Sequence, residues 1–399
     1  MLLNLLLGKK LFALRGRINF KKGIESAAFI LYNVIDKRRK PKKGNYIMGI
    51  TAKEIKNIAV IGHRGEGKTT LCEAMLFNAG AIDRMGKVAE GTSVMDYDEA
   101  EKAKGISVYA SVAHLEWKGI KINLLDLPGF YDFEGERHEG LAVCGGAVLV
   151  IGANGVLPIG AESVVNYCLK LGKPLVIFIN GMDKPNADYA GTVAALKEKY
   201  AGKIAPIQIP VMQDGKMVGY VNSFREKAYE FSTSGPKEIP VPENLKEQMD
   251  AMQDRLVETA AENDDLLLDK YFEQGGLTKA DAVHGIRKGI ATGNVIPIMA
   301  GSALNNRGVI NLLDEIVTYM PTANEHRNVY ATDVAADELV HVDCEENGLL
   351  AAQVFKTVYA PYSGKLNYIK IYRGKLKTGD VVYNADTGKE ERIGQIFTL

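Results

Sequence analysis

The chain has 399 residues, which is enough for two or three domains of ordinary size and for at least one sizeable hydrophobic core. Hydrophobic residues make up 46% of it and charged residues 25%, values that exclude a collagen-like, an intrinsically disordered or a disulfide-rich protein. The formal net charge of zero conceals an uneven distribution. Residues 1–47 contain 12 Lys and Arg and only two acidic residues, a net charge of +10, so the rest of the chain carries −10.

The basic segment 1–47 has two apolar stretches, both far shorter than the roughly 20 residues that a helix needs to cross a bilayer. Two interpretations of the segment are open: an organelle-targeting or membrane-surface leader, or translation from upstream of the true start. The codons of residues 42–45 are necessarily rich in purines, as in a bacterial ribosome-binding site, and they lie just ahead of Met48. We therefore expect Met48 to be the start and residues 1–47 to be a basic leader outside the native protein.

The cysteines have no pair at the spacing that zinc or redox motifs use. Such cysteines are typical of reduced thiols in a cytoplasmic protein. They are Cys72, Cys144, Cys168 and Cys344.

A pattern of strand, loop and helix begins soon after Met48. An apolar, β-branched stretch over residues 56–61 predicts a strand, and residues 70–79 predict a helix. The loop between them has the form G-x-x-x-x-G-K-T, in which backbone N–H groups surround phosphate oxygens, the lysine reaches the β and γ phosphates, and the hydroxyl binds Mg²⁺. The candidate nucleotide-binding residues here are Gly62, His63, Arg64, Gly65, Glu66, Gly67, Lys68, Thr69 and Thr70.

A second strand pair is predicted over residues 106–117 and 120–125, joined at Lys118-Gly119. It ends in the sequence Asp126-Leu127-Pro128-Gly129. An aspartate at the end of such a strand can hold Mg²⁺ through a water, and the N–H of Gly129 can contact a γ-phosphate.

Two further apolar strands, over residues 174–179 and 295–299, run into Asn180-Gly181-Met182-Asp183 and Gly301-Ser302-Ala303. In this order, the loop and the strand ends resemble the five sequence boxes of GTP-binding proteins. The resemblance implies that Asp183 accepts hydrogen bonds from N1–H and the exocyclic amine of guanine, a pair of donors that adenine lacks. It also implies that Asn180 supports the base edge, and that the backbone of Ser302 and Ala303 meets O6 of guanine.

The stretch between the last two boxes is far longer than one strand and one helix require, which predicts an inserted subdomain at about residues 205–292. A hairpin around Gln213-Asp214-Gly215 and a helix over residues 243–262 are predicted within it. With this insert, the chain resembles bacterial elongation factor G, and more narrowly the elongation factor G-like group of translational GTPases. The segments that extend the resemblance are 91–97 and 104–108 for the first switch, 306–314 for the last helix of the GTPase domain, and 354–394 for the second domain.

The resemblance covers about residues 50–399 and implies the domain organisation. The expected fold class is α/β: a P-loop NTPase domain over residues 48–325 with the inserted subdomain, followed by an incomplete antiparallel β-barrel over residues 326–399. Independently, the alternation of apolar and polar residues over 366–372 predicts a half-buried strand. Because the remaining domains of the family are not in the sequence, we expect an N-terminal fragment or a truncated reading frame.

The chain departs from the family pattern at three positions. Phe130 stands where the family has a histidine that orients the attacking water, so hydrolysis is expected to be slow. Gly181 stands where the guanine box has a lysine whose stem covers the base, which removes one wall of the base site. Ser107 replaces the first-switch threonine that reaches Mg²⁺, and its hydroxyl can serve the same purpose.

The function that the resemblance implies is GTP binding with Mg²⁺ and hydrolysis to GDP and phosphate, coupled to the ribosome, by a cytoplasmic monomer with no membrane partner. Lys68 and Gly129 would contribute to catalysis by positioning and electrostatics, without a protein nucleophile. The metal would be held by Thr69, Ser107 and Asp126. The alternatives are a non-hydrolysing, GTP-dependent regulator that binds the ribosome, a ribosomal protection factor of the tetracycline-resistance type, and an inactive paralogue.

Overall fold

The computed structural model describes residues 17–18, 50–232, 235–325, 329–333, 338–360 and 364–397. The predicted start at Met48 and most of the predicted leader lie outside these residues. Within the leader, the structure describes Arg17 and Ile18, which pair in parallel with Thr332 and Asp333. The chain divides into two compact units, one over Lys56–Pro321 and one that includes Thr322–Leu399.

The described strands are β1 (Ile55–Gly62), β2 (Ser111–Trp117), β3 (Ile120–Asp126), β4 (Gly146–Gly152), β5 (Leu175–Asn180), β6 (Ile204–Pro206), β7 (Gln208–Gln213), β8 (Lys216–Asn222), β9 (Lys227–Ser232), β10 (Gly235–Ile239), β11 (Ile296–Ala300), β12 (Tyr330–Asp333), β13 (Glu338–His341), β14 (Ala351–Ala360), β15 (Gly364–Arg373), β16 (Val381–Asn384) and β17 (Lys389–Arg392). The α-helices are α1 (Lys68–Asn78), α2 (Glu99–Lys104), α3 (Glu134–Val143), α4 (Ile159–Lys170), α5 (Tyr189–Lys199), α6 (Lys246–Glu262), α7 (Asp265–Gln274), α8 (Lys279–Thr292) and α9 (Val309–Tyr319). Short 3₁₀ helices lie at Ala52–Glu54, Val88–Glu90, Tyr131–Phe133, Glu243–Leu245 and Ala323–Glu325.

A seven-stranded sheet in the order β2-β3-β1-β4-β5-β11-β6 forms the centre of the first unit. Its strands β1, β4, β5, β11 and β6 pair in parallel, and β2 pairs antiparallel with β3. The central strands are buried along almost their whole length, which explains their continuous apolar sequences. Because parallel strands end at the same edge of a sheet, β1, β5 and β11 deliver their loops to one edge, where ligands of such sheets bind.

The segment predicted as an insert contains a second, antiparallel sheet and three helices. Its sheet has the order β10-β9-β8-β7. The turn between β7 and β8 has Asp214 and Gly215 at φ 50° and 72°, the left-handed conformations that a tight hairpin turn favours. The helices α6, α7 and α8 follow it in the chain.

In the second unit, strands β12 to β17 form antiparallel pairs: β12 with β13, β14 with β15, and β16 with β17. These strands do not close a barrel. The predicted fold class, an α/β P-loop domain followed by an incomplete antiparallel β structure, is confirmed. Across the described part of the chain, no helix combines the length and apolar character that a membrane span requires.

One predicted strand is wrong in its extent. The strand predicted over 106–117 begins only at Ser111, because the N–H groups just before it bond to carboxylates and not to a neighbouring strand. Val108 and Tyr109 both donate to Glu101, at 2.9 Å, and Ala110 donates to Glu136 at 2.9 Å. This leaves residues 106–110 as a loop that brings Ser107 towards α1.

Candidate nucleotide site

The phosphate loop joins the end of β1 to the start of α1. Gly65 and Gly67 have φ values of 79° and 88°, in the region that favours glycine, and Gly67 precedes the first residue of the helix. A Cβ atom at Gly67 would collide with the side-chain amide of Asn180, so a larger residue would push the loop away from the guanine box. The loop thus presents backbone N–H groups at the N-terminus of α1, an arrangement that binds phosphate.

Lys68 lies inside this loop. Its ammonium donates a hydrogen bond to the carbonyl of His63 at 3.0 Å, and its side chain is buried. Burial lowers the pKa of Lys68, and the nearby charge of Asp126 opposes that change. A Cβ atom at Gly129 would collide with the Lys68 ammonium, so Gly129 places its backbone directly against the lysine.

The other loop side chains point in different directions. The ring of His63 lies against Gly160, and its Nδ1 is buried without a hydrogen-bond partner. The guanidinium carbon of Arg64 lies 4.7 Å from the centre of the Phe130 ring. Glu66 contributes its carbonyl oxygen to Asn180, and Thr70 lies in the first turn of α1.

The three predicted metal ligands lie together. The Thr69 hydroxyl donates to Asp126 Oδ2 at 2.6 Å and lies 3.0 Å from the Ser107 hydroxyl. Ser107 in turn donates to Asp96 Oδ1 at 2.8 Å. Residues from α1, the end of β3 and the loop before β2 therefore meet in one hydrogen-bonded group, which gains Asp96 as a fourth member.

This group has the donor chemistry that Mg²⁺ requires. Asp126 Oδ1 and Asp96 Oδ2 are buried and have no hydrogen-bond partner. Burial raises the pKa of Asp126 to about 7, although Lys68 opposes the rise. Burial also raises the pKa of Asp96, against the hydrogen bond from Ser107. A divalent cation among these oxygens would compensate both carboxylates, and Mg²⁺ favours such hard oxygen ligands.

A metal here would also need oxygens from phosphate or water. In the described ranges, no cluster of three or more His, Cys, Asp or Glu side chains is suited to hold a metal. Two carboxylates and two hydroxyls fit Mg²⁺ at a nucleotide, because Mg²⁺ usually shares its ligands among the protein, phosphates and waters.

Asp96 and Glu73 join the candidate site, and the sequence pattern does not predict either of them as a site residue. Glu73 is fully buried on α1 and accepts hydrogen bonds from the N–H groups of Gly86 and Val94, at 2.8 and 2.6 Å, and from the Ser93 hydroxyl at 2.8 Å. These hydrogen bonds hold the segment before Asp96 against α1, the helix that follows the phosphate loop. The sequence signal for Glu73 is its charge, since it stands among apolar residues in the predicted helix.

At the other end of the site, Asn180 connects two loops. Its side-chain NH₂ donates to the carbonyl of Glu66 at 2.8 Å, and its Oδ1 accepts from the N–H of Ala303 at 2.9 Å. A third bond, from the N–H of Met182 to the carbonyl of Gly301 at 3.0 Å, joins the two box loops directly. These contacts bring together the phosphate loop and both predicted guanine-binding segments.

The remaining residues predicted for the base site lie on these loops. Ser302 is buried, and its hydroxyl accepts from the N–H of Asn305 at 3.2 Å. Asp183 is half-buried on the loop after β5. The position of a Cβ atom at Gly181 would be 3.2 Å from Cε of Lys184, so the stem of Lys184 lies beside the glycine that stands in place of the box lysine.

Residues 53–322 match the family model described as "Elongation factor Tu GTP binding domain". The chain belongs to this family. It is also 35% identical, over 354 residues, to elongation factor G of two Chlamydia trachomatis strains, serovar D and serovar A. Each match covers 86% of this chain and 51% of the relative, so the chain spans about half the length of these proteins. A crystal structure of a Thermus thermophilus protein, ttk003000868, is 30% identical with a TM-score of 0.76, covering 86% of this chain and 48% of that one.

In this GTP-binding domain, the rings of His63 and His138 both contact residues other than Phe130. The His138 ring stacks on Tyr167 with centres 4.4 Å apart, and the His63 ring packs against Gly160. The half-buried Phe130 ring contacts Phe133, with ring centres 6.2 Å apart, and the guanidinium of Arg64.

Proposed function

We propose that this chain binds GTP with Mg²⁺ and hydrolyses it to GDP and phosphate, as a translational GTPase that acts on the ribosome. The observation that carries the proposal is the group formed by Thr69, Ser107 and the two aspartates beside the phosphate loop, with its buried, unpartnered carboxylate oxygens. Membership of a GTP-binding family supports the choice of guanine.

Each predicted site residue has a role in this proposal. Lys68 and the loop N–H groups bind the phosphates, and Gly129 contacts the γ-phosphate through its N–H. Bound Mg²⁺ would neutralise charge that develops on the phosphate oxygens. The base is read by four residues: Asn180, Asp183, Ser302 and Ala303. No protein nucleophile is required.

We propose the ribosome as the partner because the similar full-length proteins are named elongation factor G. The working form would be a cytoplasmic monomer. Hydrolysis would be slow, because Phe130 has no hydrogen-bonding group to orient the attacking water. A positioned acid–base group typically contributes about 10²–10⁴-fold in rate.

The Phe130 side chain, which has no hydrogen-bonding group, favours one alternative, a GTP-dependent ribosome-binding regulator that does not hydrolyse GTP. Single-turnover GTP hydrolysis with and without ribosomes distinguishes the two. Stimulation by ribosomes that is lost in Lys68→Ala and kept in Lys197→Ala, an exposed lysine on α5, supports the enzyme. Tight GTP binding without turnover at any ribosome concentration would establish the regulator.

The role of Phe130 has a test of its own. Phe130→His restores an imidazole at this position and is expected to raise the single-turnover rate. An unchanged rate in a variant that still binds GTP would show that the position does not limit hydrolysis.

A further inference from the structure

The side chain of Arg64 occupies a defined place at the phosphate loop. Its guanidinium carbon lies 4.7 Å above the Phe130 ring, an arrangement in which the cation is attracted to the aromatic face. Phe133 packs edge-on against the same ring, with centres 6.2 Å apart, and so supports it from another side. The guanidinium therefore has an aromatic platform although Arg64 itself is exposed.

The backbone geometry places Gly129, the residue next to this platform, against the phosphate loop. A Cβ atom at Gly129 would lie 2.8 Å from the N atom of Arg64 and 2.9 Å from the carbonyl oxygen of Gly62, and would also collide with the Lys68 ammonium. Gly129 thus packs closely against both the backbone of the loop and the side chain of Lys68. Phe130, whose ring holds the Arg64 guanidinium, is thus the chain neighbour of the residue that meets the Lys68 ammonium.

The charge of Arg64 is free to act on an incoming anion. Within the part of the chain that the structure describes, no carboxylate forms an ion pair with Arg64, whereas Arg137 and Arg225 each have one within 3.5 Å. A neutral aromatic ring holds the guanidinium without neutralising it. Arginine presents five N–H donors in a planar fork that suits phosphate oxygens.

We propose that Arg64 is a catalytic residue that donates hydrogen bonds to the γ-phosphate oxygens in the transition state of hydrolysis; this rests on the proposed GTPase function. In that reaction the water oxygen forms a bond to the γ-phosphorus, and the bond from that phosphorus to the bridging oxygen breaks. The bonding electron pair remains on the β-phosphate of GDP, and the water proton passes to the released phosphate or to solvent. Charge on the γ-phosphate oxygens is what a well-placed arginine stabilises, with effects of about 10³–10⁵-fold in other GTPases.

In this assignment, Phe130 holds the arginine and does not itself orient water. Activation of the attacking water would then be weak in this chain, and an arginine from its own phosphate loop would stabilise the transition state.

The test uses the full chain and two measurements: the single-turnover rate of GTP hydrolysis, and the affinity for fluorescent GDP with and without aluminium fluoride, which mimics the transferring phosphoryl group. Arg64→Ala is expected to lower the rate by about 100-fold or more and to abolish the tightening by aluminium fluoride. Its affinity for GDP alone should stay within about threefold. Arg64→Lys should recover only part of the rate, because lysine lacks the planar fork. The control is Arg255→Ala, at an exposed arginine on α6.

Several outcomes would overturn the assignment. A wild-type protein that hydrolyses GTP, with Arg64→Ala equally fast, would remove Arg64 from catalysis and leave the proposed function intact. A loss of GDP affinity as large as the loss of rate would make Arg64 a ground-state binding residue. A wild-type protein that binds GDP but never hydrolyses GTP would overturn both proposals.

Discussion

The base end of the site is the region predicted to bind guanine. There the side-chain NH₂ of Asn180 donates to the phosphate loop and its Oδ1 accepts from Ala303, and the N–H of Met182 donates to the carbonyl of Gly301. At the phosphate end, formed by Thr69, Asp96, Ser107 and Asp126, two buried carboxylate oxygens have no partner. The hydrogen bonds of the base end are therefore made within the protein, whereas the phosphate end has unpartnered carboxylate oxygens that a cation would satisfy. We infer that these loops can form before the nucleotide binds, and that a bound metal and the phosphates would supply the missing interactions.

Removing the carboxylate charge at the phosphate end should have the largest effect. Asp126→Asn keeps the shape of the side chain and removes the charge that would hold Mg²⁺. We expect the affinity for a non-hydrolysable GTP analogue in Mg²⁺ to fall by about 100-fold, and that for guanosine to stay unchanged. Fluorescence titration measures both. Asp132→Asn, at an exposed aspartate, is the control, and an equal loss for guanosine would break the distinction between the two ends.

The same variant should stabilise the metal-free protein. Burial raises the pKa of Asp126 to about 7, far above that of an unfolded aspartate. Between about pH 4 and 7 the folded protein then binds more protons than the unfolded chain, so this residue lowers the free energy of unfolding as the pH rises. With EDTA present, denaturant unfolding of Asp126→Asn should show a gain of a few kcal/mol at pH 8 that disappears near pH 4. A gain independent of pH would contradict this explanation.

Breaking the base end should affect every guanine ligand alike. Asn180→Ala leaves the Glu66 carbonyl and the Ala303 N–H without their partner, at about 1–3 kcal/mol for an unsatisfied buried group. We expect affinities for guanosine, GDP and the GTP analogue to fall together, by about 30-fold. A loss confined to the triphosphate would show that Asn180 acts mainly on the phosphate loop.

The smallest effect is expected at Lys184. Its stem lies beside Gly181, so it can cover the base in place of the lysine that the box lacks. Lys184→Ala should weaken GDP binding by about two- to fourfold, since exposed cation and stem contacts with an aromatic ring are weak. Lys197→Ala is the matched control, and identical affinities in the two variants would remove Lys184 from the base site.

The sequence predicts those parts of the site that depend on local pattern. The phosphate loop is recognisable because its glycines, Lys68 and Thr69 stand at fixed spacing in one short segment between a strand and a helix. Asp126 and Asn180 are predictable because each ends a buried strand of one sheet, and such ends meet at one edge.

Other parts depend on contacts between segments that have no fixed spacing in the chain. Glu73 and Asp96 belong to the site through loop N–H groups and a serine hydroxyl that only folding brings to them. The loop over residues 106–110 has a strand-like sequence, and the Glu101 and Glu136 carboxylates take its hydrogen bonds. The position of Lys184 beside Gly181, in contrast, is local and comes from a turn in which the Lys184 N–H donates to the Gly181 carbonyl at 3.0 Å.

The most direct test of the contrast between the two ends is the effect of Mg²⁺ on ligand affinity in the wild-type protein. Calorimetric titration with guanosine and with a non-hydrolysable GTP analogue, each with Mg²⁺ and with EDTA, isolates the two ends. We predict that Mg²⁺ strengthens binding of the triphosphate by at least about tenfold and leaves guanosine binding unchanged. Equal changes for both ligands, or no change for either, would contradict a phosphate end that a cation completes.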